Sequence, residues 1–165
     1  MKKSLALVLA LLMIVAMFAG CGNGKEAAGD DTTGDKVVKI GVFEPASGDS
    51  ASGGKKETLG MQFANSETPT VEIGGETYKV ELVYSDNGSD PAKAVSAAST
   101  LVSANVALVL GSYGSGVSVA ASDTFKDAGL AAIGVTCTNP KVTAGNDHYF
   151  RICFLDPFQG TVLAN

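Results

Sequence analysis

Apolar positions fall in short runs, and the stretches between them carry helical spacing. Val37-Val38-Lys39-Ile40-Gly41-Val42-Phe43 is rich in β-branched residues and predicts a buried first strand. Glu44 to Gly54, with Pro45, Gly48, Gly53 and several serines, predicts a loop. A helix is predicted near Lys55 to Asn65, with Leu59, Phe63 and Ala64 on its apolar side and Gly60 weakening it. Ile73-Gly74-Gly75-Glu76 predicts a turn, and the alternation from Tyr78 to Tyr84 a second strand. Asp90-Pro91 opens the next helix: the acid can cap free N–H groups, and the first helical position has no use for the donor that proline lacks. Val95, Ala98, Leu101 and Val102 follow at helical spacing.

The third strand is the apolar run Val106 to Leu110. Gly111 to Gly116 predicts a turn, and Val117 to Ala128 a helix closed by Gly129. Leu130 to Val135 predicts a fourth strand, Thr136 to Asp147 a loop turning at Asn139-Pro140, and Tyr149 to Phe154 a fifth strand. Asp156-Pro157 repeats the cap-and-proline start, with Phe158, Val162 and Leu163 opening an apolar face. Strands separated by helices predict an α/β fold, a parallel sheet with helices on both faces. Ligands of such sheets sit beyond the carboxyl ends of the strands. That rule selects the loops after strands one, three and four, each rich in small hydroxyl residues. Asn165 falls about two turns into the last helix, which reads as a truncated element, with a short docked helix as the alternative.

Lys2 and Lys3, the apolar run Leu5 to Phe18 and the small residues Ala19-Gly20 describe a secretory signal over residues 1–20. The run is short for a membrane span, which needs about 20 residues. Residues 22–35, GNGKEAAGDDTTGD, have no apolar periodicity and read as a flexible tether, so the folded lobe is expected over 36–165. Outside the cytoplasm Cys137 and Cys153 could form a disulfide, or both could be free core thiols.

The formal charge is −5. Without the first twenty residues it is −7, from 10 basic and 17 acidic residues. An acidic chain with no Lys/Arg stripe and no Trp makes a poor nucleic-acid partner. Enzyme signatures are weak. The single His148 begins a strand on the side away from the expected crevice, and no G-x-S-x-G elbow surrounds Ser115. No H-E-x-x-H or C-x-x-C offers metal ligands, and no cofactor is expected. Asp86, Asp90, Asp123 and Asp127 read as caps and solvated faces.

Two loops carry chemistry. Gly111-Ser112-Tyr113-Gly114-Ser115-Gly116-Val117-Ser118 lies between a strand and a helix N-terminus, where free N–H groups and the Ser115 and Ser118 hydroxyls could meet an anion. The order is G-x-x-G-x-G, neither the dinucleotide fingerprint nor a P-loop. A Gly/Ser turn that only caps its helix accounts for the same residues. Thr136-Cys137-Thr138-Asn139-Pro140 follows strand four and could complete a polar cradle beside it, or serve as a capping turn.

Several stretches together resemble the leucine/isoleucine/valine-binding proteins of ABC importers, the type I periplasmic binding proteins. They are Ile40-Gly41-Val42 with Ser47-Gly48, Asp86 with Asp90-Pro91-Ala92-Lys93-Ala94-Val95, Val109-Leu110-Gly111, Ala121-Ser122-Asp123, Thr138-Asn139-Pro140, and Phe150-Arg151 with Asp156 and Gln159-Gly160. The resemblance runs from Lys36 to Asn165. It implies two α/β lobes closing on a solute, of which this chain would hold the first, with permease subunits as partners. It also implies that Ser115 and Thr138 meet an α-carboxylate, with Tyr113 and Gly116 beside them, while a carbonyl near Thr136 meets the ammonium. Phe18-Ala19-Gly20-Cys21 resembles a lipobox, with Phe18 where leucine is commoner; it implies lipid on Cys21 and a membrane anchor. Tyr113 stands where the family has an aliphatic residue, and Gly53 where an aromatic often packs on the ligand. The ligand is therefore left open among amino acids, short amides and small carboxylates. A ligand-sensing ectodomain is the alternative role; an amide hydrolase fits less well.

Overall fold

The computed structural model describes residues 36–165. The expected signal segment, Cys21 and the tether to residue 35 lie outside the described residues. The order is β1 (Val37–Glu44), α1 (Ala51–Glu67), β2 (Thr70–Ile73), β3 (Glu76–Asp86), α2 (Pro91–Ser103), β4 (Leu108–Leu110), α3 (Ser115–Asp127), β5 (Ala132–Gly134), a 3-10 turn (Pro140–Val142), β6 (Tyr149–Arg151) and α4 (Asp156–Ala164). The six-stranded sheet has the order β2-β3-β1-β4-β5-β6. β1 pairs in parallel with β3 and β4, and β4, β5 and β6 continue in parallel.

The predicted parallel α/β sheet is present, with one addition. β2 is antiparallel to β3, joined to it by the turn at Gly74-Gly75. It was missed because its four residues are exposed and pair only with β3, so no buried run marks them. Strand five ends at Arg151, short of Phe154. Asp90 caps α2 as expected, accepting the Ala92 N–H at 2.9 Å. Asp156 does not repeat this: Leu155 is the N-cap of α4 and supplies no side-chain bond, leaving Asp156 in the first turn.

Alternation along the strands separates the two faces. Phe43, Val109, Ala132 and Tyr149 pack with Ala94, Ala98 and Leu101 of α2 and Val117, Ala121 and Phe125 of α3 in one buried core. Ile40, Leu82, Leu110 and Ile133 point the other way, toward α1. There α1 leaves an apolar groove of about 500 Å³, lined also by Met61, Ala64 and Ile152. The expected apolar side of this helix is thus mostly turned outward. Leu59 and Phe63 are 62% and 67% exposed, and only Ala64 of the three borders the groove. The helix is fixed at its start instead, where Gly54 lies buried against the Pro45 carbonyl and ring; a Cβ there would approach them within 2.4–2.6 Å. That contact and Glu57 face the sheet, so spacing from them sets which residues follow.

Cys137 and Cys153 are both free thiols, the first buried and the second half-buried. Of the two readings, disulfide or free thiols, this structure has the free thiols. Burial raises the Cys137 thiol above its ordinary value, with the Ser118 hydroxyl opposing.

Candidate functional site

The loops after β4 and β5 meet. The Ser115 hydroxyl oxygen accepts the Asn139 N–H at 3.2 Å, which sets Ser115 beside Thr138, both half-buried. Ser115 opens α3, whose N-cap is Gly114; no side chain caps this N-terminus. The partial positive end of a 13-residue helix and its first-turn N–H groups therefore sit next to two hydroxyl residues, an arrangement suited to a carboxylate. Ser118 contributes less than expected: it is buried, and its hydroxyl donates to the Gly114 carbonyl at 3.2 Å.

The β5 loop is held from behind by Arg151. Its guanidinium donates to the Cys137 and Asn139 carbonyls at 2.9 Å each, and to the Thr143 hydroxyl at 2.9 Å. A planar fork of donors joins three points of one loop, which a lysine could not do. The loop after β1 is organised by Asp86, which accepts the Ala46 and Ser47 N–H groups, the Ser47 hydroxyl and the Gly88 N–H. Burial opposes the Asp86 charge, but these four donors outweigh it and hold the carboxyl below its usual range.

Tyr113 and Gly116 are exposed and border a small opening of about 210 Å³ with Ser50, Ser89, Pro91, Gly114 and Val117. The two departures from the resembled family lie against each other. A Cβ on Gly53 would lie 2.5–2.7 Å from three ring carbons of Tyr113. The Tyr113 ring of the β4 loop thus occupies the space beside Gly53 in the first turn of α1. Gly53→Val is expected to cost about 1–3 kcal/mol by overpacking. In a Tyr113→Ala background the same change should cost almost nothing, because the space is then free. Thermal melts of the four proteins check this, and additive losses would refute the contact.

The Thr136 hydroxyl donates to Glu57 Oε1 of α1 at 2.5 Å, so its side chain serves the scaffold, while the role expected near it falls to a backbone carbonyl. Four residues at this end were not anticipated. Glu44, at the end of β1, is buried and accepts the Tyr113 N–H at 2.7 Å through Oε2. Asn87, also buried, donates to the Ser112 hydroxyl at 2.9 Å, tying the β3 and β4 ends together. Tyr149 donates its hydroxyl to the Gly111 carbonyl at 2.9 Å. The fourth is Glu57 itself. A polar residue closing a β-branched run, as Glu44 does, was the available signal.

His148 is half-buried with Nδ1 2.9 Å from Asp147 Oδ1, a neighbouring-residue contact away from these loops. Among the described residues no group of three or more His, Cys, Asp or Glu could hold a metal ion. Among them, too, no helix is long and apolar enough to cross a membrane.

The periplasmic binding protein family model matches residues 37–164. The chain is 32% identical over 163 residues to the Leu/Ile/Val-binding protein homolog 2 of Brucella abortus, covering 98% of this chain and 40% of that protein. It is 38% identical over 128 residues to an amino acid binding protein of Pseudomonas aeruginosa, covering 76% and 34%. Among solved structures, the leucine binding protein LivK of Thermotoga maritima superposes with a TM-score of 0.72 at 33% identity, over 78% of this chain and 36% of that one. LivJ of Streptococcus pneumoniae, solved with isoleucine, gives 0.71 at 33% identity, over 79% and 37%. The chain spans about two fifths of the length of these curated relatives. Shared fold and a match along nearly all the described residues place the chain in the periplasmic binding protein family of type I, a family of extracytoplasmic solute binders and not of enzymes, with Leu/Ile/Val-binding protein homologues among its relatives.

Proposed function

We propose that this chain is the first lobe of a receptor that captures an amino acid or a similar small carboxylate for an ABC importer. The observation that carries the reading is Ser115 at the uncapped N-terminus of α3, its hydroxyl accepting the Asn139 N–H of the loop that holds Thr138. The α-carboxylate is held by first-turn N–H groups and both hydroxyls, with Gly116 permitting close approach and the Tyr113 ring forming a wall. The ammonium meets a carbonyl near Thr136. In this reading residues 1–20 are a signal peptide, Cys21 carries lipid, and residues 22–35 tether the receptor to the membrane near its permease.

The relatives' names support an amino acid as solute. Titration calorimetry with L-leucine, L-isoleucine, L-valine and a panel of other amino acids tests the reading. Ser115→Ala and Thr138→Ala each remove one hydroxyl from a carboxylate. Each should weaken binding by about 10- to 100-fold, the loss of a hydrogen bond to a charged group, with the melting temperature little changed. Unaltered affinity in both variants would refute the site.

A further inference from the structure

Glu44 ends β1, and Glu57 faces it from the second turn of α1. Glu44 is 3% exposed. Each carboxyl spends one oxygen on a solute loop: Glu44 Oε2 on the Tyr113 N–H, Glu57 Oε1 on the Thr136 hydroxyl. The other oxygen of each, Glu44 Oε1 and Glu57 Oε2, is buried with no donor from the described residues. The two carboxyl groups lie close enough to interact. Neither brings a hydrogen when ionised, so a hydrogen bond between them requires a proton.

The surroundings offer no substitute. Asp86 lies opposite Glu44 on β3, its carboxylate committed to the loop amides. From β6, Tyr149 brings a phenol that burial raises above its ordinary value and that donates to Gly111. From the β4 loop comes Gly111, which a Cβ would bring within 2.6 Å of Glu44 Oε1. Lys55 and Lys56 of α1 are exposed, and among the described residues no Lys, Arg or His forms an ion pair with either acid.

We propose that Glu44 and Glu57 share one proton and act as positioning residues, latching the loops after β4 and β5 to β1 and α1, so that solute capture weakens when the proton is lost. With both acids ionised, like charges meet in a buried site. Glu44 is confined, so Glu57 swings away and takes the Thr136 contact with it. Burial, the hydrogen bond to Glu57 and its charge push the Glu44 carboxyl up to about 9, against the opposing Tyr113 N–H. The latch stands on the fold alone; only its effect on capture rests on the solute reading above.

The test is carboxyl and amide NMR of the protein from pH 5 to 9.5, with L-isoleucine titrated at pH 6 and 9.5. The Glu44 carboxyl resonance should titrate well above the carboxylate range, with the Tyr113 and Thr136 amides following the same midpoint. In Glu44→Gln, which keeps an acceptor for Tyr113 and gains a permanent donor for Glu57, both amides should be constant. Isoleucine affinity should fall about tenfold across the range in the wild type, a usual size for coupled sites, and stay level in Glu44→Gln. Ionisation of Glu44 in the ordinary range, or a high transition that the two amides ignore, overturns the latch. Co-titrating amides with pH-independent binding overturn the link to capture. Co-titrating amides with no isoleucine binding at any pH support the latch and count against the isoleucine reading.

Discussion

Phe125→Ala is expected to remove about 3–5 kcal/mol of folding stability, the usual cost of deleting a fully buried aromatic ring. Phe125 is wholly inaccessible. Its ring meets Phe43 of β1 edge to face at 5.4 Å and lies tilted against Tyr149 of β6 at 6.4 Å. These are aromatic pairings whose geometry adds to area burial. Val117, Ala121 and Phe125 recur every four residues along the inner stripe of α3, so the ring anchors the helix that presents Ser115. The cavity would also loosen Tyr149, whose hydroxyl holds the Gly111 carbonyl. Urea unfolding checks the magnitude, and Phe125→Leu should lose clearly less. A loss below about 1 kcal/mol would mean the core can collapse around the gap.

Glu44→Gln is expected to raise stability at pH 8 by on the order of 2 kcal/mol and to leave it nearly unchanged at pH 5. The sign follows from proton counting. Burial first, then the hydrogen bond to Glu57, raise the folded-state carboxyl from 4.5 to about 9. Between these values the folded protein holds a proton that the unfolded chain has released. Stability therefore falls as pH rises through this window, at about 1.4 kcal/mol per unit at most. Below 4.5 both states are protonated, and this contribution is fully present. Glutamine has no proton to lose and removes the slope. Asp86, held low by its donors after burial is overcome, acts at the acid end with the opposite sign. Melts between pH 5 and 8.5 isolate Glu44, and parallel curves for the two proteins would contradict the shift.

The parallel strands were legible because β1, β3, β4 and β5 are apolar runs bounded by glycine, proline and polar turns, and a run buried on one or both faces needs no partner to be recognised. Asp90-Pro91 was legible because capping is local. The same pattern misled at Asp156-Pro157, where the chain enters α4 one residue earlier and Leu155 takes the cap position. The orientation of α1 was not legible. Leu59 and Phe63 are the bulky apolar residues, yet the close seat of Gly54 on Pro45 sets the helix's rotation and sends both outward. Ser115 and Thr138 could be brought together by the rule of strand ends. Glu44 and Glu57 could not, because thirteen positions separate them and only the docking of α1 makes them neighbours.

The Gly53–Tyr113 contact ties two positions into one choice. With the Tyr113 ring seated over Gly53, a side chain can be added at residue 53 only where the ring shifts or shrinks, so the two positions are expected to change together. Comparing either one alone would miss that dependence.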